Sequence, residues 1–313
     1  MKQKSKIKCV IDVGTNSIKF LLAEKTEARP RILDERSDIT RLGEGLRETG
    51  AISPAAMERN AEAIANYARI AREWGAEEIS TVGTMAVRTA KNASAFLELV
   101  KRRAGVELRV IDGKEEARLA HIGACSSLPV SDSDGDKNLL VFDTGGGSTE
   151  FIYGRGAVPD RSFSVPIGAI WLTEEFFRSD PVEADSVEKA EALVREEFLK
   201  RGVKQERDTP LLIGIGGAVT TLAYVRDSSE GPDGGAVHGA SLSEAIISAQ
   251  IKDYAGKTIE ERKKIPGLPP KRADIVLAGA CIVRVVMNIV GAHTVTVSSQ
   301  GLRHGLMQEL MRH

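Results

Sequence analysis

The chain has 313 residues, 42% of them apolar and 28% charged, with a formal net charge of −1. A charge so near zero excludes a global field that would gather nucleic acid or an anionic membrane, so any polyanion site must be a local cluster. Three cysteines, Cys9, Cys125 and Cys281, lie far apart with no Cys-x-x-Cys or His-rich spacing, and read as reduced core residues of a cytoplasmic protein. The length sets an expectation of two domains. The basic start runs straight into a strand, with no signal-type apolar stretch. The longest apolar segment, 273–290, contains Asp274 and Arg284 and reads as a buried helix, not a membrane span.

Taken in chain order, residues 6–12 and 18–24 are expected to form a hairpin. Ser53 and Pro54 open a helix in which Met57, Ala61, Ile64, Ala68 and Ala71 recur at helical spacing. "EEISTVGT" is a strand leading into a loop, then a helix around 95–102, a strand over 106–112 and a helix over 114–124. "PVSDSDGDKN", 129–138, is polar and turn-rich and is the expected linker, with a hinge expected over 126–138. Leu139 to Phe142 read as a buried strand, "DTGGGSTE" (143–150) as a turn, and Phe151 to Tyr153 as the returning strand. Helices over 170–178 and 186–201 follow. A strand over 210–217 ends in glycines, with a helix from Val219 and a loop over 230–239. Two more helices, a strand over 293–297 and a last helix from Leu302 complete the chain.

Three consecutive glycines are costly to order, so something must require bare backbone at 145–147. The amino terminus holds a cousin of this turn. When Asp12 of "CVIDVGTNSIKFLL" is aligned with Asp143 of "LVFDTGGGSTEFIY", Gly14 falls on Gly145, Ser17 on Ser148 and Phe20 on Phe151. Both are strand, D-x-G-x-x-S turn, strand. Duplication of one α/β unit is the simplest account. Glycines let backbone N–H groups approach a ligand, consecutive N–H groups form an anion nest, and Ser and Thr hydroxyls add donors. An acid at the strand end repels phosphate but can hold Mg2+ that bridges to it. The chemistry indicated is metal-assisted phosphate binding between two lobes. No P-loop, H-E-x-x-H or G-x-S-x-G pattern is present, and "GIGGAV" from Gly214 is not G-x-G-x-x-G.

"IDVGTNS", "FDTGGGSTE" and "IGIGGAVTT" resemble the two phosphate motifs and third glycine motif of the actin, Hsp70 and sugar-kinase superfamily. "GTMAVRTAKN", "IDGKEEARLAHIGA", "GLPPKRADIVLAG" and "VSSQGLRHGL" narrow the resemblance to the exopolyphosphatase and guanosine pentaphosphate phosphatase family, in its short two-domain form. The resemblance implies an α/β fold of two duplicated actin-like (ribonuclease H-like) domains, 1–126 and 127–313, with a cleft between them and the last helix, 302–313, able to pack back on the first. It implies hydrolysis of the terminal phosphate of inorganic polyphosphate, with guanosine pentaphosphate as the alternative substrate and a small-molecule kinase as a more remote reading. It implies Mg2+, a monovalent cation such as K+, and a homodimer.

Glu116 matches the family's catalytic glutamate. By itself it is one of two acids, with Glu115, at a helix start, where acids ordinarily serve the dipole and the cap. Arg88 matches the phosphate-contacting arginine, for which a forked guanidinium is suited. Asp143 is the expected metal ligand, with Glu150 and Asp12 as further candidates. Gly14, Thr15, Asn16 and Ser17, with Gly145, Gly146, Gly147, Ser148 and Thr149, are expected to donate to phosphates. Lys91, Arg102, Lys271 and Arg272 could line a polyanion track. His121 is read as a packed or surface histidine, and Arg303 and His304 are assigned to packing first.

Overall fold

The computed structural model describes residues 6–26, 30–125, 128, 138–155, 158–205, 210–228 and 237–312. Strands β1 (Ile7–Val13) and β2 (Ser17–Glu24) pair antiparallel around the first glycine turn, with Asp12 opposite Lys19. A third strand, β3 (Arg31–Ile39), pairs with β2. Its residues are half or fully exposed and heavily charged, so it carried no apolar alternation to read in advance. After α1 (Leu46–Thr49), Ser53 accepts a bond from Ala56 N at 3.2 Å and caps α2 (Pro54–Glu73), with Pro54 in the first turn.

Strand β4 (Glu78–Gly83) lies parallel to β1. The expected loop behind it contains a five-residue helix, α3 (Met85–Thr89), before α4 (Ala93–Ala104). Strand β5 (Leu108–Val110) is shorter than expected, and α5 (Gly113–Cys125) follows it. The sheet order is β3-β2-β1-β4-β5.

The second sheet repeats the plan. Strand β6 (Asn138–Thr144) pairs antiparallel with β7 (Thr149–Arg155), and β7 with β8 (Val158–Val165), another strand not anticipated. Helices α6 (Ala169–Phe176) and α7 (Ser186–Lys200) lead to β9 (Leu211–Ile215), parallel to β6, and then to α8 (Gly216–Asp227). Strand β10 (Ser241–Ser243), helices α9 (Glu244–Ala255), α10 (Ile259–Arg262) and α11 (Val276–Val290), and strand β11 (Thr294–Ser298) complete an order β10-β11-β9-β6-β7-β8. The run β8-β7-β6-β9-β11 corresponds strand for strand to β3-β2-β1-β4-β5, so the duplication read from two turns extends through each sheet. Helix α11 has 15 residues, about 22 Å, against a hydrocarbon layer of about 30 Å. Among the described residues no helix is long and apolar enough to cross a membrane.

The chain divides into two compact units, residues up to Gly123 together with those from Leu302, and Ala124–Gly301. Most of the expected linker (129–137), of the expected hinge (126–127 and 129–137) and of the loop over 230–239 (230–236) lies outside the described residues.

Within the first unit, the last helix, α12 (Leu302–Arg312), sets Leu302, Leu306, Met307 and Met311 against Val10, Leu21, Ala23 and Leu119. Arg303 pairs with Glu35 and donates to Arg36 O at 3.0 Å, while His304 Nε2 lies 3.5 Å from the same Glu35 carboxylate. Burial pushes Glu35 up, but the His304 hydrogen bond and the Arg303 charge outweigh it and hold the carboxyl at about 2. Burial also keeps the His304 imidazole below its ordinary value. Both groups bind protons more weakly folded than unfolded. Their contribution is therefore present above the unfolded values and lost on acidification, His304 below about 6.5 and Glu35 between about 4.3 and its folded value. Amide exchange in α12 should accelerate, relative to α2, as pH falls from 7 to 5. His304→Gln should remove that acceleration, and a wild-type α12 that stays equally protected would reject the coupling.

Candidate active site

The first glycine turn is held from behind. Gly14 N donates to Ser17 O at 3.0 Å and closes the hairpin. Asn16 O accepts from Thr40 N (3.0 Å) and Arg41 N (2.9 Å), and Thr15 O from Gly43 N (2.9 Å). A Cβ at residue 43 would stand 2.3 Å from Thr15 Cγ2, so the glycine lets the Thr15 side chain lie against this loop. The loop 40–43, which motif reading passed over, thus fastens the turn's carbonyls. Among the described residues no backbone bond in the turn uses the N–H of Thr15 or Asn16. Carbonyls tied back and N–H groups left over are the polarity an anion nest needs.

The second turn obtains the same polarity from a different source. Gly145 N donates to Ser148 O at 2.9 Å. Gly145 O accepts from Ala169 N (2.9 Å), and Gly146 O from Ile170 N (2.8 Å) and Trp171 N (3.2 Å), so the amino end of α6 caps the turn. A Cβ at Gly168 would meet Gly146 backbone at 2.5 Å, which explains that glycine. Among the described residues no such bond uses the N–H of Gly146 or Gly147. Thr149, expected to offer its hydroxyl to phosphate, donates it to Ile167 O at 2.7 Å and is fully buried. Its hydroxyl therefore anchors the turn.

At the end of β5, Asp112 Oδ1 accepts from Glu115 N at 2.8 Å and caps α5. These backbone hydrogen bonds from Glu115 and Lys114 hold the exposed Asp112 carboxyl below the usual carboxylate range. The neighbouring glutamates separate at once. Glu115 is taken by Arg109 through two 2.9 Å bonds at the surface. Glu116 turns inward to Arg88, whose Nη1 lies 3.0 Å from Glu116 Oε2 and also donates to Ile111 O at 2.8 Å. Arg88 is placed by α3, whose amino end is joined to β1 where Thr84 N donates to Val13 O at 3.2 Å. Arg88 and Glu116 are thus set beside the strand that ends in the first turn.

The two hairpins differ at one informative position. Asp12, buried at the end of β1, faces Lys19, with Oδ2 3.9 Å from Nζ. Asp143, at the corresponding position, faces Glu150, which is 2% exposed and accepts from Ser164 Oγ at 2.7 Å. Directly opposed like charges destabilise an antiparallel pair. Two carboxylates in that arrangement, one buried, suit a hard cation with oxygen ligands such as Mg2+. The acid–lysine pair of the first hairpin does not ask for one. Gly216 follows at the start of α8 with φ +85°, and a Cβ there would stand 2.2 Å from Asp143 Oδ1. The third glycine motif therefore lays the positive end of α8 against this carboxylate.

Of the residues of the expected track, Lys91 and Arg102 lie in the first unit and Lys271 and Arg272 in the second. Lys91 lies exposed along Gly50, and Arg102 is exposed in the last turn of α4. Lys271 is exposed. Arg272 lies over Gly217, where a Cβ would stand 2.1 Å from Nη1, and burial draws its guanidinium below its ordinary value. His121, open to a packed or a surface reading, is buried within α5.

Two related α/β units, each with a phosphate-type turn at a strand end and one with a carboxylate held by an arginine alongside, define an enzyme that handles phosphoryl groups. Comparison with known proteins narrows the class. The model of the Ppx/GppA phosphatase family matches residues 21–313. Exopolyphosphatase 2 of Mycobacterium tuberculosis is 32% identical over 96% of this chain and 97% of its own length. The bifunctional 3-dehydroquinate synthase/phosphatase of Fusobacterium nucleatum is 29% identical over 97% of this chain, which spans 46% of that longer protein. The crystal structure of the Aquifex aeolicus Ppx/GppA member is 32% identical, with a TM-score of 0.82 and 98% of each chain covered. This chain belongs to the Ppx/GppA phosphatase family.

Proposed function

We propose that the protein is an exopolyphosphatase that removes orthophosphate from the end of inorganic polyphosphate, one unit at a time. The observation that carries this is its end-to-end likeness to a protein named exopolyphosphatase, and the pairing of Glu116 with Arg88 supports it. Water attacks the terminal phosphorus and gives its proton to Glu116. The bond from that phosphorus to the bridging oxygen breaks, and the shortened chain leaves carrying the charge on that oxygen. Arg88 holds Glu116 through one nitrogen and presents its remaining donors to a phosphate oxygen. The N–H groups of the two turns, with the hydroxyls of Thr15, Ser17 and Ser148, neutralise phosphate charge. Positioning and charge neutralisation supply most of the acceleration in such reactions. Asp143 and Glu150 would hold Mg2+, which when bound screens charge on the phosphates. Asp12 is then a turn-fixing acceptor paired with Lys19.

Phosphate release from long-chain polyphosphate, guanosine pentaphosphate and ATP should be compared in Mg2+, with polyphosphate the preferred substrate. Preference for guanosine pentaphosphate would transfer the reading to that substrate, and release from none would overturn it. Asp143→Asn should raise the Mg2+ concentration for half-maximal activity about tenfold or more, the scale on which altering a metal's ligand environment acts. An unchanged Mg2+ titration would remove Asp143 as a ligand.

A further inference from the structure

We infer that His238 is a further substrate contact in the second unit, its Nε2–H donating to an anionic oxygen of the polyphosphate chain beyond the terminal phosphate. The inference rests on the exopolyphosphatase reading above.

His238 lies beside the carboxyl end of β11. Gly239 N donates to Val297 O at 2.8 Å and Val297 N to Ala240 O at 2.7 Å, so the backbone before β10 continues its pairing along β11. Ser299 N–H donates to His238 Nδ1 at 3.3 Å. A backbone N–H can only donate, so Nδ1 is the unprotonated nitrogen and a neutral ring carries its proton on Nε2. That Nε2 is buried, and among the described residues it has no hydrogen-bond partner. Buried donors in folded proteins are nearly always satisfied, so this tautomer leaves an N–H for a water or a ligand to take.

The sheet says which ligand. Ser298 is in register with Ile215, and Ile215 with Asp143, so the three form one row at the carboxyl edge of three parallel strands. That edge is where open α/β sheets collect their ligands. Adjacent strands lie about 4.8 Å apart, which puts Ser298 about 10 Å from Asp143. His238 Nδ1 is 3.5 Å from Ser298 Oγ. A donor beside Ser298 is displaced along this row from Asp143. It suits a later phosphate of the same chain. Sequence reading found no role for this histidine, because its signals are contacts with Ser298 and Ser299, 60 and 61 residues away.

The test compares wild type, His238→Asn and His238→Gln in kinetics on long-chain polyphosphate and on tripolyphosphate, and in calorimetric binding of the long chain. Asparagine keeps an acceptor for Ser299 N–H but cannot reach the Nε2 position. Glutamine restores an N–H near it. The Asn variant should raise KM and weaken binding for the long chain about tenfold, with kcat and the tripolyphosphate KM little changed, and Gln should recover part of the loss. Equal KM and binding in all three proteins would overturn the contact. An equal rise for tripolyphosphate would overturn its distal placement. A wild type that neither binds nor hydrolyses long-chain polyphosphate would remove the exopolyphosphatase reading itself, and this contact with it.

Discussion

Glu116→Gln should release phosphate from polyphosphate about a hundredfold or more slowly than wild type, the scale for loss of a general base, while keeping the fold. The amide is isosteric and still accepts from Arg88 Nη1, which retains its second bond to Ile111 O at 2.8 Å. The backbone of α5 is unaffected, because its cap is Asp112. Glu115→Gln is the matched control. Same helix, same substitution, adjacent position, yet the only change is a surface pairing with Arg109, worth a few tenths to about 1 kcal/mol. Its turnover should be near normal. A Glu116→Gln enzyme with near-normal kcat would end the assignment. Equal losses in the two variants would show that charge at the start of α5, not a base, is what matters.

The contrast between those two glutamates shows where sequence reasoning stops. Both sit at a helix start after a capping Asp, and nothing in their spacing says which turns inward. The arginines decide, and Arg88 and Arg109 lie on different elements. The glycine turns were legible because strand, acid, glycine and hydroxyl are local signals, repeated in both halves. Even the pairing of Asp143 with Glu150 against Asp12 with Lys19 is visible in the aligned repeat. What holds each turn was not legible, since the N–H groups of 40–43 and of 169–171 are brought in by tertiary structure. Strand β3 was missed because a charged, exposed strand has no apolar period, and α3 because five residues span too few turns to show one. His238 and the Thr149 hydroxyl gain their meaning only from Ser299 and Ile167.

Gly305→Ala is the second substitution with a large expected effect, and two opposing terms predict its sign. Alanine is the better helix former by about 1 kcal/mol, and Gly305 lies within α12. Against this, a Cβ at 305 would stand 1.9 Å from Leu119 O and 3.1 Å from Gly123 N, both backbone atoms of α5. No side-chain rotation relieves that contact, so one helix must move away from the other. Overpacking of this kind costs about 1–3 kcal/mol, occasionally more. The clash wins, and Tm should fall despite the gain in helix propensity.

The displaced element matters for chemistry. Glu116 is one turn before Leu119, and Arg118 of the same helix is clamped to Glu309 of α12. A shift of about 1 Å at a catalytic group can cost about a hundredfold. Gly305→Ala should therefore lower kcat on polyphosphate well below that of wild type at a temperature where both remain folded. Gly256→Ala controls for the generic effect of replacing glycine. A Cβ there meets nothing closer than 3.6 Å and its backbone is ordinary αR, so that variant should keep wild-type turnover with Tm unchanged or slightly raised. If Gly305→Ala raised Tm instead, propensity would have outweighed contact, and α12 would not be the element that seats α5 and Glu116.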